Sequence, residues 1–151
     1  MQILNFESER FKLRTISPKD CSKKYLNWVI NEKYIDYGNK NKNKLTIKIL
    51  KQNILKKKNP YFFTIRDKKN NHIGNIKFEY FNKKKNIFHL GILIGDKNWK
   101  YKGVFREIFF TLVPHIYFLE KKPKIICGIH RENLASIKSF KNMGWKIFYK
   151  N

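Results

Sequence analysis

The sequence predicts an α+β fold in which helices flank a mixed, mainly antiparallel sheet. Three neighbouring segments in the middle of the chain have strand character, and the polar turns DKKNN and NKKKN join them as in consecutive β-hairpins. Segments with the helical spacing of apolar residues lie on both sides of these strands. No internal repeat or linker interrupts the 151 residues, so we expect a single domain over 1–151.

The first part of the chain is predicted to contain one strand and two helices. The alternation FKLRTI over 11–16 indicates a strand with one buried face. Ser17 followed by Pro18 is typical of a helix start, and this helix is expected to end at about Asn31. Apolar residues at helical spacing predict a second helix over 45–57.

The second part is predicted to contain most of the sheet and two further helices. Pro114 is expected to kink or shorten the first of these helices, because proline lacks the N–H that a helix interior needs. The predicted elements are strands over 61–66, 72–81 and 87–94, a helix over 104–119, a strand over 124–129, a helix over 133–142 and a last strand over 145–148.

Composition limits the class of protein. An apolar fraction of 42% is enough for a packed core, and no apolar run approaches the roughly 20 residues that span a bilayer. The first residues, MQILNFESER, carry acids where a secretory signal has bases. Cys21 and Cys127 are isolated and show no metal-ligand spacing. We therefore expect a cytoplasmic protein with reduced thiols, no bound metal and no membrane contact.

The formal charge of +23 raises the question of nucleic-acid binding, because basic side chains release counterions from a phosphate backbone. Of the 34 basic residues, 29 are Lys and 5 are Arg, whereas base-edge and bidentate phosphate contacts favour Arg. The abundance of Lys, Asn and Ile is also typical of chains encoded by AT-rich DNA. We therefore favour passive surface charge over functional nucleic-acid binding.

Five stretches are spread over almost the whole chain: FKLRTISPKD, YLNWVINEKY, HIGNIKF, FHLGILIGDKNWKYKG and ENLASIKSFKNMGW. In this order, they resemble the GNAT superfamily of acyl-CoA-dependent N-acyltransferases. The resemblance is greatest to the bacterial branch that acetylates small amines, amino sugars and protein N-termini. It implies a GNAT-like fold, acetyl-CoA as co-substrate and a small-molecule amine as acceptor. Relatives carry a C-terminal hairpin that is shortened here, so the resemblance also implies an open sheet edge or a homodimer that completes it.

The resemblance implies a coenzyme site at the junction between the strand over 87–94 and the helix that follows. In the family, backbone N–H groups at the helix N-terminus bind the pyrophosphate. The family loop begins with Arg or Gln and has a glycine three residues later; Lys100 and Gly103 match it, and Phe105 stands where relatives have a small residue. The full expected set is Ile92, Leu93, Ile94, Lys100, Tyr101, Lys102, Gly103, Val104, Phe105, Asn133, Ser136 and Phe140.

The resemblance also implies a general base beside the thioester. Many relatives have Glu at the position of His89, and a histidine with a pKa near 6.5 suits proton transfer at neutral pH. Glu79 is the alternative base. Relatives often have a Tyr that protonates the leaving thiolate where this chain has Phe140. The alternatives are that the thiolate leaves without such a donor, that Tyr101 or Tyr149 supplies the hydroxyl, or that activity is low.

Acceptor contacts are expected from Trp28 and Tyr37, because aromatic side chains near the first helix border the acceptor site in the family. Several site residues also have a purely structural interpretation. Gly103 fits a turn before a helix, Asn133 fits a helix N-cap, and His89 fits a polar position on a strand.

The leading prediction is an N-acetyltransferase that moves an acetyl group from acetyl-CoA to a primary amine by direct attack in a ternary complex. An amino sugar of surface-polysaccharide synthesis is the favoured acceptor. The alternative is a catalytically silent GNAT-like domain that binds coenzyme A or an anionic partner.

Overall fold

The computed structural model describes residues 2–34 and 42–148 and shows, within them, one six-stranded sheet with helices packed on both faces. The strand order is β1-β2-β3-β4-β5-β6, and every neighbouring pair is antiparallel except β5 and β6. The predicted α+β class with a mixed, mainly antiparallel sheet is therefore confirmed.

The strands are β1 Asn5–Glu7, β2 Phe11–Thr15, β3 Phe62–Asp67, β4 His72–Asn82, β5 Ile87–Ile94 and β6 Lys124–Ile126. The helices are α1 Lys23–Asn31, α2 Ile47–Lys57, α3 Val104–Leu119 and α4 Leu134–Asn142. Short 3-10 turns occur at Pro18–Asp20, Lys42–Lys44 and Lys97–Trp99.

One face of the sheet carries the larger core, which α3 and α4 cover. Strand residues such as Phe63 and Phe78 alternate inward, as a period of two requires, and are fully buried with Ile108 and Leu112 of α3. The opposite face carries a smaller core beneath α1 and α2. Leu93 of β5 packs there with apolar residues of both helices. The two cores fix the sheet between two layers of helices.

The first helix begins later than the sequence predicted. Ser17 caps only the turn Pro18–Asp20, and α1 starts at Lys23, where the Ser22 hydroxyl accepts a hydrogen bond from Tyr25 N. The cause is Asp20, whose buried carboxylate binds Ser17 and two arginines and holds the chain in a tight turn. The helix then ends at Asn31, as predicted.

Pro114 was expected to kink or shorten α3, and it does not shorten it: the helix has the predicted range. The helix continues past Pro114 to Leu119. Proline removes one intrahelical hydrogen bond, but Leu112 and Ile116 on either side are buried in the core. Tertiary packing of the residues around Pro114 thus compensates for the missing hydrogen bond and keeps the segment helical.

The ends of the sheet also differ from the prediction. Strand β1 was not predicted, and β6 ends at Ile126 rather than at residue 129. No strand forms over 145–148 in the described chain, because Trp145 packs on Phe109 and Phe140 while the side chain of Phe148 is exposed. The expected first strand of a shortened C-terminal hairpin is therefore absent from these residues.

Candidate active site

A cleft of about 900 Å³ opens where β5 and β6 diverge. The parallel pairing of these strands ends at His89 and Ile126, whereas β5 continues to Ile94. Within the described residues, no strand pairs with that side of β5 beyond His89. The far half of β5 therefore forms an open wall of the cleft.

The backbone of Ile92 faces this opening. Phe78 N donates to Tyr61 O on the β3 side of β4, so the backbone groups of its register partner Leu90 point away from β4, toward the side on which β6 pairs. Backbone groups alternate sides along a strand, which directs the N–H and C=O of Ile92 to the same side. These groups are placed to pair with an extended amide-bearing ligand as an added strand.

The loop before α3 presents a row of backbone N–H groups. Tyr101 and Gly103 have positive φ values of 61° and 70°, a conformation that turns consecutive N–H groups toward one side. Gly103 is the N-cap of α3. Within the described chain, the N–H groups of residues 101–106 make no hydrogen bond. The helix dipole adds to their attraction for an anion.

Arg10, which the sequence did not single out, supports this loop. Its Nη1 donates to the carbonyl of Lys102 at 3.0 Å, and its Nε lies 2.6 Å from the Glu107 carboxylate. Arg10 lies next to a predicted strand in an otherwise polar segment, so nothing in the local pattern marked it.

The two basic residues of the loop differ in their surroundings. Lys100 Nζ lies 3.2 Å from the Glu32 carboxylate at the end of α1, so this ion pair crosses the cleft. Lys102 is exposed, and no ion pair to its Nζ occurs in the described part of the chain. Lys102 is therefore the more available of the two for a phosphate.

The aromatic pair at the base of the loop is buried. Phe105 stacks on Phe140 with ring centroids 4.6 Å apart, and both belong to the core beneath α3 and α4. The Phe105 side chain points into this core, which leaves its backbone N–H uncovered. A large residue at this position is thus compatible with the open loop.

The start of α4 forms another wall of the cleft. Asn133 is its N-cap, and its side-chain Oδ1 accepts from Ser136 N at 3.2 Å. The preceding segment holds His130, whose ring stacks on Tyr34 at 5.4 Å. Asn133 therefore has the structural role that the sequence allowed, and it also lines the cleft.

The structure thus brings together all the residues expected to bind the coenzyme. Each of the twelve lines the same cleft, and His89 lines it with them.

His89 is half-buried, and its Nε2 accepts a hydrogen bond from Gly128 N at 3.3 Å. In a neutral imidazole this leaves the proton on Nδ1. Burial lowers the pKa of His89, and the nearby Lys77 ammonium lowers it further, while Glu79 acts in the opposite direction. His89 is therefore neutral near pH 7, as a general base must be before it takes a proton.

Glu79 lies opposite His89 on β4 but does not line the cleft. Its carboxylate is within 2.9 Å of Lys57 Nζ and 3.1 Å of Lys77 Nζ. Burial alone would raise the pKa of Glu79, but the hydrogen bond and charge of these lysines outweigh it and lower the pKa. A carboxylate held in this way is a weak proton acceptor.

The two predicted acceptor contacts are not both described. Tyr37 lies outside the described residues, as does Tyr149. Trp28 lies outside the main cleft and lines a separate depression with Gly95 and Lys97. Its indole covers Gly95 so closely that an added Cβ there would lie 2.0 Å from the ring. Trp28 therefore packs against the backbone at the end of β5.

The described residues contain no group of three His, Cys, Asp or Glu side chains that could hold a metal ion. None of the described helices is long and apolar enough to cross a membrane. Cys21 and Cys127 are free, and burial raises the pKa of the Cys127 thiol to about 12.

The sequence of this chain matches the model of one protein family. The family model described as an acetyltransferase (GNAT) domain matches residues 10–146. The chain therefore belongs to the GNAT acetyltransferase family, whose members use acetyl-CoA as co-substrate. A comparison with curated proteins gave no match.

Solved structures of similar fold include several acetyltransferases. A GNAT-family acetyltransferase from Bacillus anthracis has 20% identity, covers 97% of this chain and 86% of its own, and gives a TM-score of 0.76. A ribosomal-protein-S5-alanine acetyltransferase from Vibrio fischeri has 18% identity, coverage of 95% and 83%, and a TM-score of 0.72. A chimeric spermidine N-acetyltransferase from Vibrio cholerae has 17% identity, coverage of 87% and 78%, and a TM-score of 0.70.

Proposed function

We propose that this protein transfers an acetyl group from acetyl-CoA to the primary amine of a small molecule, by direct attack in a ternary complex. The observation that carries the proposal is the shared cleft: the open backbone of Ile92 and the unpaired N–H groups of residues 101–105 line one continuous space. The first suits the pantetheine arm and the second suits the pyrophosphate.

The roles of the cleft residues follow from this placement. The N–H groups at the start of α3 bind the pyrophosphate, and Lys102 adds a positive charge. A backbone N–H of β5 near Ile92 polarises the thioester carbonyl. The amine lone pair then forms the C–N bond, the C–S bond breaks, and coenzyme A leaves as a thiolate.

His89 takes the proton that the attacking nitrogen loses. Its Nε2 lone pair is the acceptor, so the hydrogen bond from Gly128 N must lengthen when the substrate binds. The thiolate is protonated by solvent or by Tyr101, whose exposed side chain lies at the cleft rim. Phe140 supplies no proton, but a thiolate is a tolerable leaving group because the thiol pKa is about 8.5.

The charges in the cleft favour a neutral or oxygen-rich acceptor over a polyamine. The cleft carboxylates among the described residues are Glu32 and Glu132, and each lies within 4.0 Å of a lysine. A polyamine would need carboxylates that are not already paired. Amino sugars and amino alcohols, with one amine and several hydroxyls, fit this balance better.

The test measures thiol release from acetyl-CoA with a panel of amines that includes D-glucosamine, a peptide with a free N-terminal amine, and spermidine. We expect turnover with D-glucosamine well above the rate of acetyl-CoA hydrolysis. Coenzyme A binding by calorimetry, at low and high salt, provides the control. Salt-tolerant binding without turnover on any amine would instead favour the catalytically silent domain, for which the absence of a hydroxyl at Phe140 is the supporting observation.

A homodimer that extends the sheet edge stays a prediction. Sedimentation of the purified protein would test it, and a monomer that transfers acetyl groups would exclude a need for the partner. Binding of an unrelated oligonucleotide that disappears at moderate salt would agree with passive surface charge.

A further inference from the structure

We propose that Asn75 is a specificity residue that donates a hydrogen bond from its side-chain amide to an oxygen of the acceptor, on the far side of the acceptor from the reacting nitrogen. This inference rests on the proposed acetyl transfer and deepens it, because it assigns the acceptor an oxygen at a defined distance from the amine.

The starting observation is an unpaired donor at the cleft. Asn75 lies on β4, is only 4% exposed and lines the main cleft. Within the described residues, its Nδ2 is buried and makes no hydrogen bond. Buried polar groups are nearly always paired, and an unpaired one lowers stability. An amide of this kind at a binding cleft is explained if a ligand supplies the missing acceptor.

The neighbouring His72 fixes which end of the amide is unpaired. His72 Nε2 lies 3.0 Å from Gly74 O and 3.0 Å from Asn75 Oδ1. Gly74 O can only accept, so the proton of the imidazole must be on Nε2, and the Asn75 atom that faces it must be an acceptor. Asn75 Oδ1 accepts this hydrogen bond and the amide cannot flip. Its NH₂ group therefore points away from His72.

The residues around Asn75 form the part of the cleft that lies on the sheet face covered by α1 and α2. Tyr25 and Val29 of α1, Phe62 of β3 and Lys77 of β4 line it. These groups offer an apolar and aromatic surface with one cation. A ring that carries hydroxyl groups can contact the apolar surface and satisfy Asn75 at the same time.

The strand register gives the approximate reach. Asn75 pairs with Leu93, and Lys77 pairs with Gly91, which lies two residues from His89. Since a strand rises about 3.4 Å per residue, Asn75 lies roughly 7 Å along the sheet from the level of Gly91. An amine that attacks at the level of Gly91, between Asn75 and the level of His89 roughly 14 Å away, would place an oxygen across a six-membered ring, rather than on the adjacent carbon, near Asn75.

The first experiment compares three amines that differ only in a hydroxyl: cyclohexylamine, trans-2-aminocyclohexanol and trans-4-aminocyclohexanol. We expect kcat/KM of the wild-type protein to be about tenfold higher for trans-4-aminocyclohexanol than for the other two. Asn75→Leu should abolish this preference, while KM for acetyl-CoA stays unchanged. Asn75→Asp, which keeps the acceptor for His72 but removes the donor, should abolish it as well.

Thr64→Val is the matched control. Thr64 is the fully buried neighbour of Asn75 on β3, but its hydroxyl already donates to Arg14 O and it does not line the cleft. This variant should keep the preference. A wild-type protein that uses all three amines equally would overturn the role of Asn75 and leave the acetyl transfer standing.

A binding measurement separates the two proposals. The side-chain NH₂ signals of Asn75, identified by their loss in Asn75→Leu, are followed by ¹H–¹⁵N NMR with coenzyme A present. We expect trans-4-aminocyclohexanol to shift them and cyclohexylamine to leave them in place. A shift of the Asn75 signals without turnover would contradict the proposed acetyl transfer and support the hydrogen bond from Asn75. Unchanged signals at a saturating concentration of trans-4-aminocyclohexanol would refute this hydrogen bond, because an amide paired only with buried water would behave in that way.

Discussion

The Arg10 guanidinium and the Glu107 carboxylate join the start of β2 to the first turn of α3, with Nε and Oε2 2.6 Å apart. Glu107 also accepts hydrogen bonds from Ser8 Oγ and Arg10 N. Burial alone would raise the pKa of Glu107, but these hydrogen bonds and the Arg10 charge outweigh it and lower the pKa. The carboxylate therefore stays charged, and Arg10 is free to bind the Lys102 carbonyl with Nη1.

Arg10→Met should loosen the loop before α3 and weaken coenzyme A binding by about tenfold, because the hydrogen bond that positions Lys102 is lost. Arg106→Met is the matched control. Arg106 is an exposed arginine on α3, the helix that carries Glu107, and its guanidinium contacts Phe110. Calorimetry should show nearly unchanged affinity for the control. Equal loss in both variants would point to general electrostatics instead of loop geometry.

Gly103 allows a test that isolates charge at the loop. Its φ of 70° disfavours most side chains, but Asn and Asp tolerate this region, and an added Cβ would meet only Arg10 Nη2, at 3.8 Å. Gly103→Asp should weaken coenzyme A binding by tenfold or more, since a carboxylate would face the pyrophosphate. Gly103→Asn, of the same size, should bind much more tightly than Gly103→Asp. Similar affinities for the two variants would place the pyrophosphate elsewhere.

Much of the fold could be predicted because its elements have strong local patterns. The range of β5 and the ranges of α3 and α4 follow from apolar spacing and from Gly103 and Asn133 at the helix starts. The errors occur where tertiary contacts decide. The first helix is delayed by the arginines that bind Asp20, and no local pattern reveals those partners.

In the candidate site, too, local sequence patterns predicted some residues, whereas others depend on tertiary contacts. The loop Lys100–Phe105 could be predicted because one segment contains it. Arg10, Asn75 and Gly128 could not, since their importance depends on which distant strands come together. Trp28 has the aromatic character of an acceptor contact, but its position against Gly95 is visible only in the folded chain.

The buried carboxylate of Asp20 should be a major source of stability. It accepts hydrogen bonds from Arg14, Arg66 and both polar groups of Ser17. Asp20→Asn leaves two guanidinium groups without their counter-charge and should lower the free energy of unfolding by about 3–5 kcal/mol. Asp67→Asn, at a turn on the protein surface, should lower it by less than about 1 kcal/mol. Urea denaturation measures both.

The pH dependence of stability gives a second readout for Asp20. Burial alone would raise its pKa, but the hydrogen bonds from Ser17 and Arg66 outweigh burial and bring the pKa below 3.8. The contribution of Asp20 is therefore present above the unfolded pKa and is lost as the pH falls through the folded one. Asp20→Asn should flatten the loss of stability below about pH 4. An equally steep loss in the variant would assign it to other carboxylates.

His89 allows the catalytic mechanism to be tested most directly. If its Nε2 takes the proton of the amine, His89→Ala should lower kcat by about a hundredfold or more. Coenzyme A affinity should change little, because His89 lies beyond the strand segment that holds the pantetheine arm. His89→Gln is the matched control, since its amide oxygen can still accept from Gly128 N but cannot take a proton.

The pH profile separates proton transfer by His89 from mere positioning. Burial and Lys77 lower the pKa of His89 below 6.5, so the neutral, active form should dominate at pH 7 and kcat should fall as the pH drops below 6.5. This acidic limb should disappear in both His89→Ala and His89→Gln, leaving only the titration of the amine itself. If His89→Gln retains most of the wild-type rate, the imidazole only positions Gly128 and the strand end. A fall in both variants, with the limb gone, would instead identify His89 as the base, because only the proton-accepting nitrogen is missing from His89→Gln.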